Sequence, residues 1–445
     1  MERIRRLWQS DQGYEPIGNG LTEEHDHEGE TRKATTFSYL EYSIFVMLGI
    51  SMLWAWNMFL AAGPYFQSRF RGNSWIRDNF QAAEISVSTA TNLGSMLILT
   101  RMQANASYPK RIIYSLVINM AVFALLALST EVFLDVSAAG YFGFLMVVMF
   151  FTSLATGLCQ NGIFAYVSGF GEPKYTQGIM TGQGVAGVLP CIVQIGSVLA
   201  VQADSTSPDV DDGPTVRSDA ALAYFLTATM VALVSLMAFL YLNGRHRTRK
   251  EAQSPDAHAM DAGVDKKVVP FSTLFRKLRW LALAVFVTFA ITMVFPVFTQ
   301  EITSVKPIDQ QPPLLQHASF IPLAFLFWNS GDLIGRLATA IPSLSLVHRP
   351  GIVFALSSSR VVFVGLYYLC NIRGRGAVVE SDLFYLVVVQ LLFGLSNGYL
   401  GSTCMIGAAE WVDDDEKEVA GSFMGLCLVC GLCAGSLLSF AVAGT

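Results

Sequence analysis

Charge is what this chain has least of. Only 14% of its 445 residues are Asp, Glu, Lys or Arg and 53% are hydrophobic, whereas soluble domains average about 25% charged. A chain so poor in polar surface cannot cover a water-facing globule, which excludes a soluble enzyme or nucleic-acid binder and points to lipid. Histidine is scarce too: there are six, all in predicted loops or tails, so the apolar segments lack zinc ligands and a Ser–His pair. Alternating apolar and polar strands of the barrel type are missing. A cleavable leader is also missing, because the first apolar run begins near Tyr39 and is too long for a signal-peptide core. Of the seven cysteines, Cys159, Cys191, Cys370 and Cys404 lie in or beside apolar runs. Cys427, Cys430 and Cys433 read as small packing residues on one lipid-embedded helix rather than as metal ligands. No metal, cofactor or disulfide framework is expected.

What the chain does have is a series of apolar runs, each near the ~20 residues that cross a hydrocarbon core, and a mean hydropathy of +0.46. Eleven candidate spans fall near 40–66, 81–103, 111–133, 139–168, 176–201, 218–243, 278–299, 318–342, 349–370, 382–406 and 418–443. The fold class expected is an all-α integral membrane protein with eleven transmembrane helices. Residues 1–37 are polar and read as a disordered cytoplasmic tail. The widest break, 244–277, opens with Arg245-His-Arg-Thr-Arg-Lys250 and reads as a cytoplasmic linker. It separates a six-helix bundle, 38–243, from a five-helix bundle, 278–445. The positive-inside rule then puts the amino terminus in the cytoplasm, and the acidic 203–212 loop and the carboxyl terminus outside or in a lumen. Arg373 and Arg375 outside, and Asp413–Asp415 inside, run against that trend. In this layout the sequon Asn105-Ala-Ser107 is cytoplasmic and stays unmodified. Tyr14-Glu-Pro-Ile17 has the form of a sorting signal, a pattern that chance also supplies often.

Inside the spans, polar groups stand out. Phe325–Ala340 places Asp332 and Arg336 one helical turn apart, with Asn329 on the same face. A charge at mid-membrane costs roughly 2.5–3.5 kcal/mol on insertion scales, so such residues usually mark a substrate path. The plainer reading is an Asp–Arg pair that glues helices together. The first span carries Trp56-Asn57, the fourth Gln160-Asn161 and the fifth Thr181-Gly-Gln-Gly184, with Gly182 and Gln183 inside it. For each amide taken singly, interhelical glue and ligand contact stand even. Together they describe a lining of amides, one acid, one base and an indole, suited to a neutral, polar, partly aromatic solute rather than an inorganic ion. Glycines four apart (Gly178/Gly182, Gly331/Gly335, Gly394/Gly398, Gly421/Gly425, Gly431/Gly435) signal close helix approach. Pro190, Pro296 and Pro322 are candidates for helix bends.

These residues, in this order, resemble the equilibrative nucleoside transporter family over nearly all of 40–443. The resemblance rests on Trp56-Asn57, Thr181–Gly184, Asp332-x-x-Gly-Arg336, Ser396-Asn-Gly-Tyr-Leu400 and Ala420-Gly421. It implies a major-facilitator-like arrangement of six and five helices rocking about a central site. By the same resemblance Trp56, beside Asn57, would pack against a nucleoside and Gln160 would bond its base. Asp332 and Arg336 would engage ribose or base, with Asn329 in support, and Leu93 and Met96 would add lining. Arg111 and Glu418 would form a cytoplasmic-side gate or tie. Ala55 departs from the family, many members of which have proline there.

The function implied is facilitative transport of nucleosides, or nucleobases, by alternating access, in a plasma membrane or a vacuole- or lysosome-like one. The alternative is a proton-coupled nucleoside symporter of the same fold. The arginine beside Asp332 favours its charged form, which argues against coupling. The expected partners are small-molecule nucleosides and the lipid bilayer, with no nucleic acid and no obligate protein partner. An enzyme is not expected, because the spans offer no histidine and no second deep acid.

Overall fold

Backbone in a bilayer has no water to bond, so each crossing must satisfy its own amides, and a single chain does this as helix. The computed structural model describes residues 37–103, 106–132, 134–204, 214–253 and 268–443. The tail with its Tyr14 motif, Asn105 of the sequon, the loop after Asp204 and the middle of the linker lie outside the described residues. The helices are α1 (Tyr39–Ala61), α2 (Gly63–Arg69), α3 (Ser74–Arg101), α4 (Tyr108–Ser129), α5 (Ala138–Ser168), α6 (Pro173–Asp204) and α7 (Pro214–Gln253). They continue with α8 (Phe271–Thr292), α9 (Val294–Glu301), α10 (His317–Ala338), α11 (Pro350–Ser359) and α12 (Val362–Tyr367). A π-helical stretch, Phe384–Leu391, runs into α13 (Leu392–Gly407), and α14 (Lys417–Ala443) follows. Among the described residues the one β-type pairing is the bridge between Ile302 and Ile372.

The chain is a multi-pass membrane protein. Among the described residues nine helical segments are long and apolar enough to cross a membrane. Two more helices, α3 and α10, match them in length at 28 and 22 residues but are not among the nine. Both are diluted by polar residues: Arg77, Asp78 and Glu84 in α3, and Asn329, Asp332 and Arg336 in α10. The polar residues that set α10 apart thus also lower its hydropathy below that of the other spans.

Several ends differ from the apolar runs. α3 starts at Ser74 rather than near 81, because Asn73 accepts the Ile76 amide at 3.2 Å and caps the helix. Glu84 therefore lies in the third turn, where it is buried, and not near a helix end as its place in the apolar run suggests. α7 continues to Gln253, ten residues past the end of its run, since Arg, Lys, Glu, Ala and Gln are good helix formers outside lipid as well. α8 begins at Phe271 rather than near 278. α1 runs unbroken through Ala55 and stops at Ala62, where Pro64 opens α2.

Packing follows the glycines. A Cβ on Gly331 or Gly335 of α10 would strike the carbonyl oxygens of Leu391 and Leu395, and one on Gly394 or Gly398 of α13 would strike those of Trp328 and Asp332. The two stripes face each other, backbone on backbone. Gly178 and Gly182 of α6 likewise lie against Tyr42 and the Val46 carbonyl of α1, while Gly431 and Gly435 of α14 lie on Phe286 and Ala290 of α8. Elsewhere α3 and α4 pack on α5, α7 on α1 and α4, and α8 on α11 and α13. Two seams join the first seven helices to the rest: α6 against α10 and α13, and α5 with α3 against α14.

Candidate functional site

On the first seam, α10 brings its polar face to α6. Both charges are almost fully buried, Asp332 and Arg336 each being 4% exposed. The Arg336 Nε donates to Asp332 Oδ2 at 2.6 Å. Its Nη1 crosses to α6 and donates to the Met180 carbonyl at 3.0 Å and to Gln183 Oε1 at 2.9 Å. The other carboxylate oxygen, Oδ1, accepts from Asn397 Nδ2 of α13 at 2.7 Å. A charge pair this deep is tolerable only when further hydrogen bonds support it, and here α6 and α13 supply them. Gly184 makes room for this: a Cβ there would come within 3.1 Å of the Arg336 Cδ.

α1 joins the same seam. Met52 Sδ lies 3.6 Å from Gln183 Nε2, and Asn57 Nδ2 donates to the Ala186 carbonyl at 2.7 Å. Trp56 is half-buried beside them and stacks on Phe59 at 6.4 Å between centroids. One turn before Asp332, Asn329 donates to the Phe325 carbonyl at 2.9 Å and approaches Cys191 Sγ at 3.5 Å. Its Oδ1 fills the space that a side chain at Gly187 would need. Asn57, Gly182 and Gln183 therefore lie where α1 meets α6, and Gln183, Asn329, Asp332 and Arg336 where α6 meets α10, whereas Trp56 packs on the apolar core of the first helices around Phe59.

The remaining candidates lie on the second seam. Asn161 is fully buried and donates to Ser422 Oγ of α14 at 2.6 Å and to Thr100 Oγ1 of α3 at 3.1 Å. Its oxygen accepts from Arg111. Arg111 also donates to the carbonyls of Leu99 at 3.0 Å and Met102 at 2.8 Å, tying α4 to the end of α3. Glu418 lies against Gly169 at the end of α5. Gln160, adjacent to Asn161, is buried yet its Oε1 has no protein partner. Met96 is fully buried with its methyl toward Gly425 of α14, and Leu93 is half-buried. The two consecutive amides thus differ in kind. Asn161 is saturated interhelical glue, whereas Gln160 keeps an acceptor open. Glu84 Oε1, Asn92 Oδ1 and Trp328 Nε1 are also buried without a protein partner.

Sequence reasoning missed Asn397 as a member of the site, although its motif was in view, and missed Arg360 entirely. Arg360 falls eleven residues into the run 349–370, so the rule that drew attention to Asp332 would have found it.

A sequence profile of the nucleoside transporter family matches residues 144–260 and 243–443. The chain belongs to the nucleoside transporter family. Among the curated relatives of this transporter family member, "Nucleoside transporter FUN26" of Saccharomyces cerevisiae is 30% identical, with 90% of this chain and 83% of that protein covered. "Equilibrative nucleoside transporter 1" of Homo sapiens is 27% identical, with 89% and 95% covered. Among solved structures, the xylose:proton symporter XylE aligns at a TM-score of 0.60 and 10% identity over 90% of this chain and 88% of its own. The transporter FucP in its outward conformation aligns at 0.54 and 15% identity over 91% and 96%. At those identities the likeness is one of fold: the chain has the major-facilitator architecture. A family of transporters on a carrier fold is what the sequence implied, and an enzyme is not.

Proposed function

We propose that this protein is a facilitative nucleoside carrier that works by alternating access, with its substrate held between the two seams. The observation that carries the reading is family membership along nine-tenths of the chain, joined to a buried acid–base pair placed where the two sets of helices meet. In this reading Trp56 offers a π face to the base and the open Gln160 Oε1 accepts a base N–H. Asp332 and Arg336 engage ribose hydroxyls or the base edge, steadied by Asn329. Asn57, Gly182 and Gln183 hold α1 and α6 close, Leu93 and Met96 add apolar lining, and Arg111 and Glu418 serve as a cytoplasmic-side gate or tie. The chain crosses the bilayer eleven times, with α3 and α10 counted, as a six-helix bundle (38–243) and a five-helix bundle (278–445) around a cytoplasmic linker. Its amino terminus is cytoplasmic and its carboxyl terminus lies outside or in a lumen.

Uncoupled transport is the reading adopted, because both Asp332 Oδ atoms are already engaged, one by Arg336 and one by Asn397, and relatives of the chain bear the name equilibrative nucleoside transporter. Purified protein in liposomes should take up tritiated uridine or adenosine to equilibrium and show counterflow. Accumulation above the outside concentration under an imposed pH gradient would establish symport instead, and no uptake of any nucleoside would remove the reading.

A further inference from the structure

Arg360 is the most deeply buried guanidinium among the described residues, 2% exposed, and among those residues no carboxylate is within ion-pairing distance of it. It lies in the break between α11 and α12, with its head group over the Phe393 ring at 4.6 Å. The Nε donates to Ser396 Oγ at 3.0 Å, one Nη donates to the Thr288 carbonyl, and the other donates to Thr292 Oγ1 at 3.1 Å. Thr292 Oγ1 lies 2.6 Å from Asn397 Oδ1 and 2.8 Å from the Thr288 carbonyl.

A threonine hydroxyl has one proton to give. Two acceptors compete for this one: the Thr288 carbonyl already accepts from Arg360, whereas Asn397 Oδ1 has no proton of its own to place between two oxygens 2.6 Å apart, so the Thr292 proton goes to Asn397. Once Asn397 Oδ1 accepts that proton, its amide can turn only one face toward Asp332, and that face is the Nδ2 donor observed at 2.7 Å. Every bond in the chain then runs in one direction: Arg360 to Thr292, Thr292 to Asn397, Asn397 to Asp332.

We infer that Arg360 is a positioning residue for transport, acting through Thr292 and Asn397 to hold Asp332 as an oriented, acceptor-only carboxylate. The inference rests on the carrier reading and adds a specific mechanism to it. The charged groups around Asp332 are Arg336 on its own helix and Arg360 beyond Asn397. The Tyr367 hydroxyl, on Arg360's side, bonds Gln390 Oε1 at 3.1 Å. From α6 and α13 the described contacts are neutral. With the relay intact, Asn397 is held with its Nδ2 toward Asp332. With the relay cut, the Asn397 amide is free to turn, and Asp332 loses a fixed partner on its Oδ1.

The test compares Thr292→Val, which keeps the shape and removes the hydroxyl, with Thr292→Ser, which keeps the hydroxyl. Tritiated uridine uptake is measured in proteoliposomes over a range of uridine concentrations. Wild type and Thr292→Ser should share one KM. Thr292→Val should show a KM raised about tenfold, the scale of one lost hydrogen bond near a charged group, at unchanged maximal rate. Arg360→Gln should do the same more strongly, and the threonine pair decides the matter if that variant does not insert. A wild-type KM in well-inserted Thr292→Val, or a raised KM that Thr292→Ser shares, overturns the inference while leaving the carrier reading intact. Loss of the carrier reading would show itself as no uptake by the wild type.

Discussion

Replacing Arg336 by methionine leaves Asp332 buried, with its 2.6 Å partner gone and the 2.7 Å bond from Asn397 remaining. It also takes the donor from Gln183 Oε1 and from the Met180 carbonyl. Removing one member of a buried pair costs about 3–5 kcal/mol, and an unsatisfied amide oxygen about 1 kcal/mol more. Against a total stability of about 5–15 kcal/mol, Arg336→Met should reach the membrane in much reduced amount. The informative partner is the double variant Asp332→Leu/Arg336→Met, which removes both charges at similar volume. Apolar replacement of a whole buried pair is often neutral or stabilising, so the double variant should regain most of the abundance lost in the single one. Its uridine uptake per inserted molecule should stay at background, because no acid or base remains for the sugar. Abundance is read by size-exclusion chromatography of the detergent-solubilised protein, and uptake in vesicles normalised to it. Recovery of transport together with abundance would show that the pair is only glue, and the reasoning that places substrate there would fail.

The two amides of α5 should separate in the same way. Gln160→Leu should keep normal abundance and raise KM for uridine, since no protein group depends on its Oε1. Asn161→Leu should lower abundance, because it strands Arg111, Thr100 and Ser422 at a cost of about 1–3 kcal/mol; a fully abundant Asn161→Leu would contradict its assignment as glue. Trp56→Phe should transport with a modest KM increase and Trp56→Ala with a larger one, on the scale of about 0.5–1.5 kcal/mol for a lost aromatic contact, measured by competition with unlabelled adenosine. Gly398→Val should abolish insertion, since its side chain would enter the Asp332 carbonyl, whereas Gly351→Val, with open space around it, should be tolerated.

Much of this was legible in the residues, for a physical reason. Hydrophobic length sets a helix that spans lipid, so most helix centres coincide with the apolar runs. Glycine spacing announced close approach, and every pair singled out proves to lie against a neighbouring helix. What one-dimensional reading could not supply was direction. Gln160 and Asn161 are chemically alike and adjacent, and only the rotation of α5 turns one into α3 and α14 while leaving the other's oxygen without a partner. The bonds of Arg111 were hidden for the same reason: its charge says nothing about the carbonyls of Leu99 and Met102 that take the guanidinium. Glu84 was misjudged because a cap by Asn73 extends α3 beyond its apolar part. Arg360 was missed because a lone cation without an acid nearby in sequence offers no pair to recognise, and its partners come from α8 and α13.

Because α10 and α13 touch through bare peptide, neither can slide or roll against the other without steric collision. The acid and the amide that steadies it are therefore mounted on one stiff plank and keep their spacing whichever side of the bilayer the carrier opens to. Movement has to be taken up along the opposite edge of α10, where Arg336 reaches α6 on a long, bendable stem and can let go of Gln183 and Met180 one bond at a time.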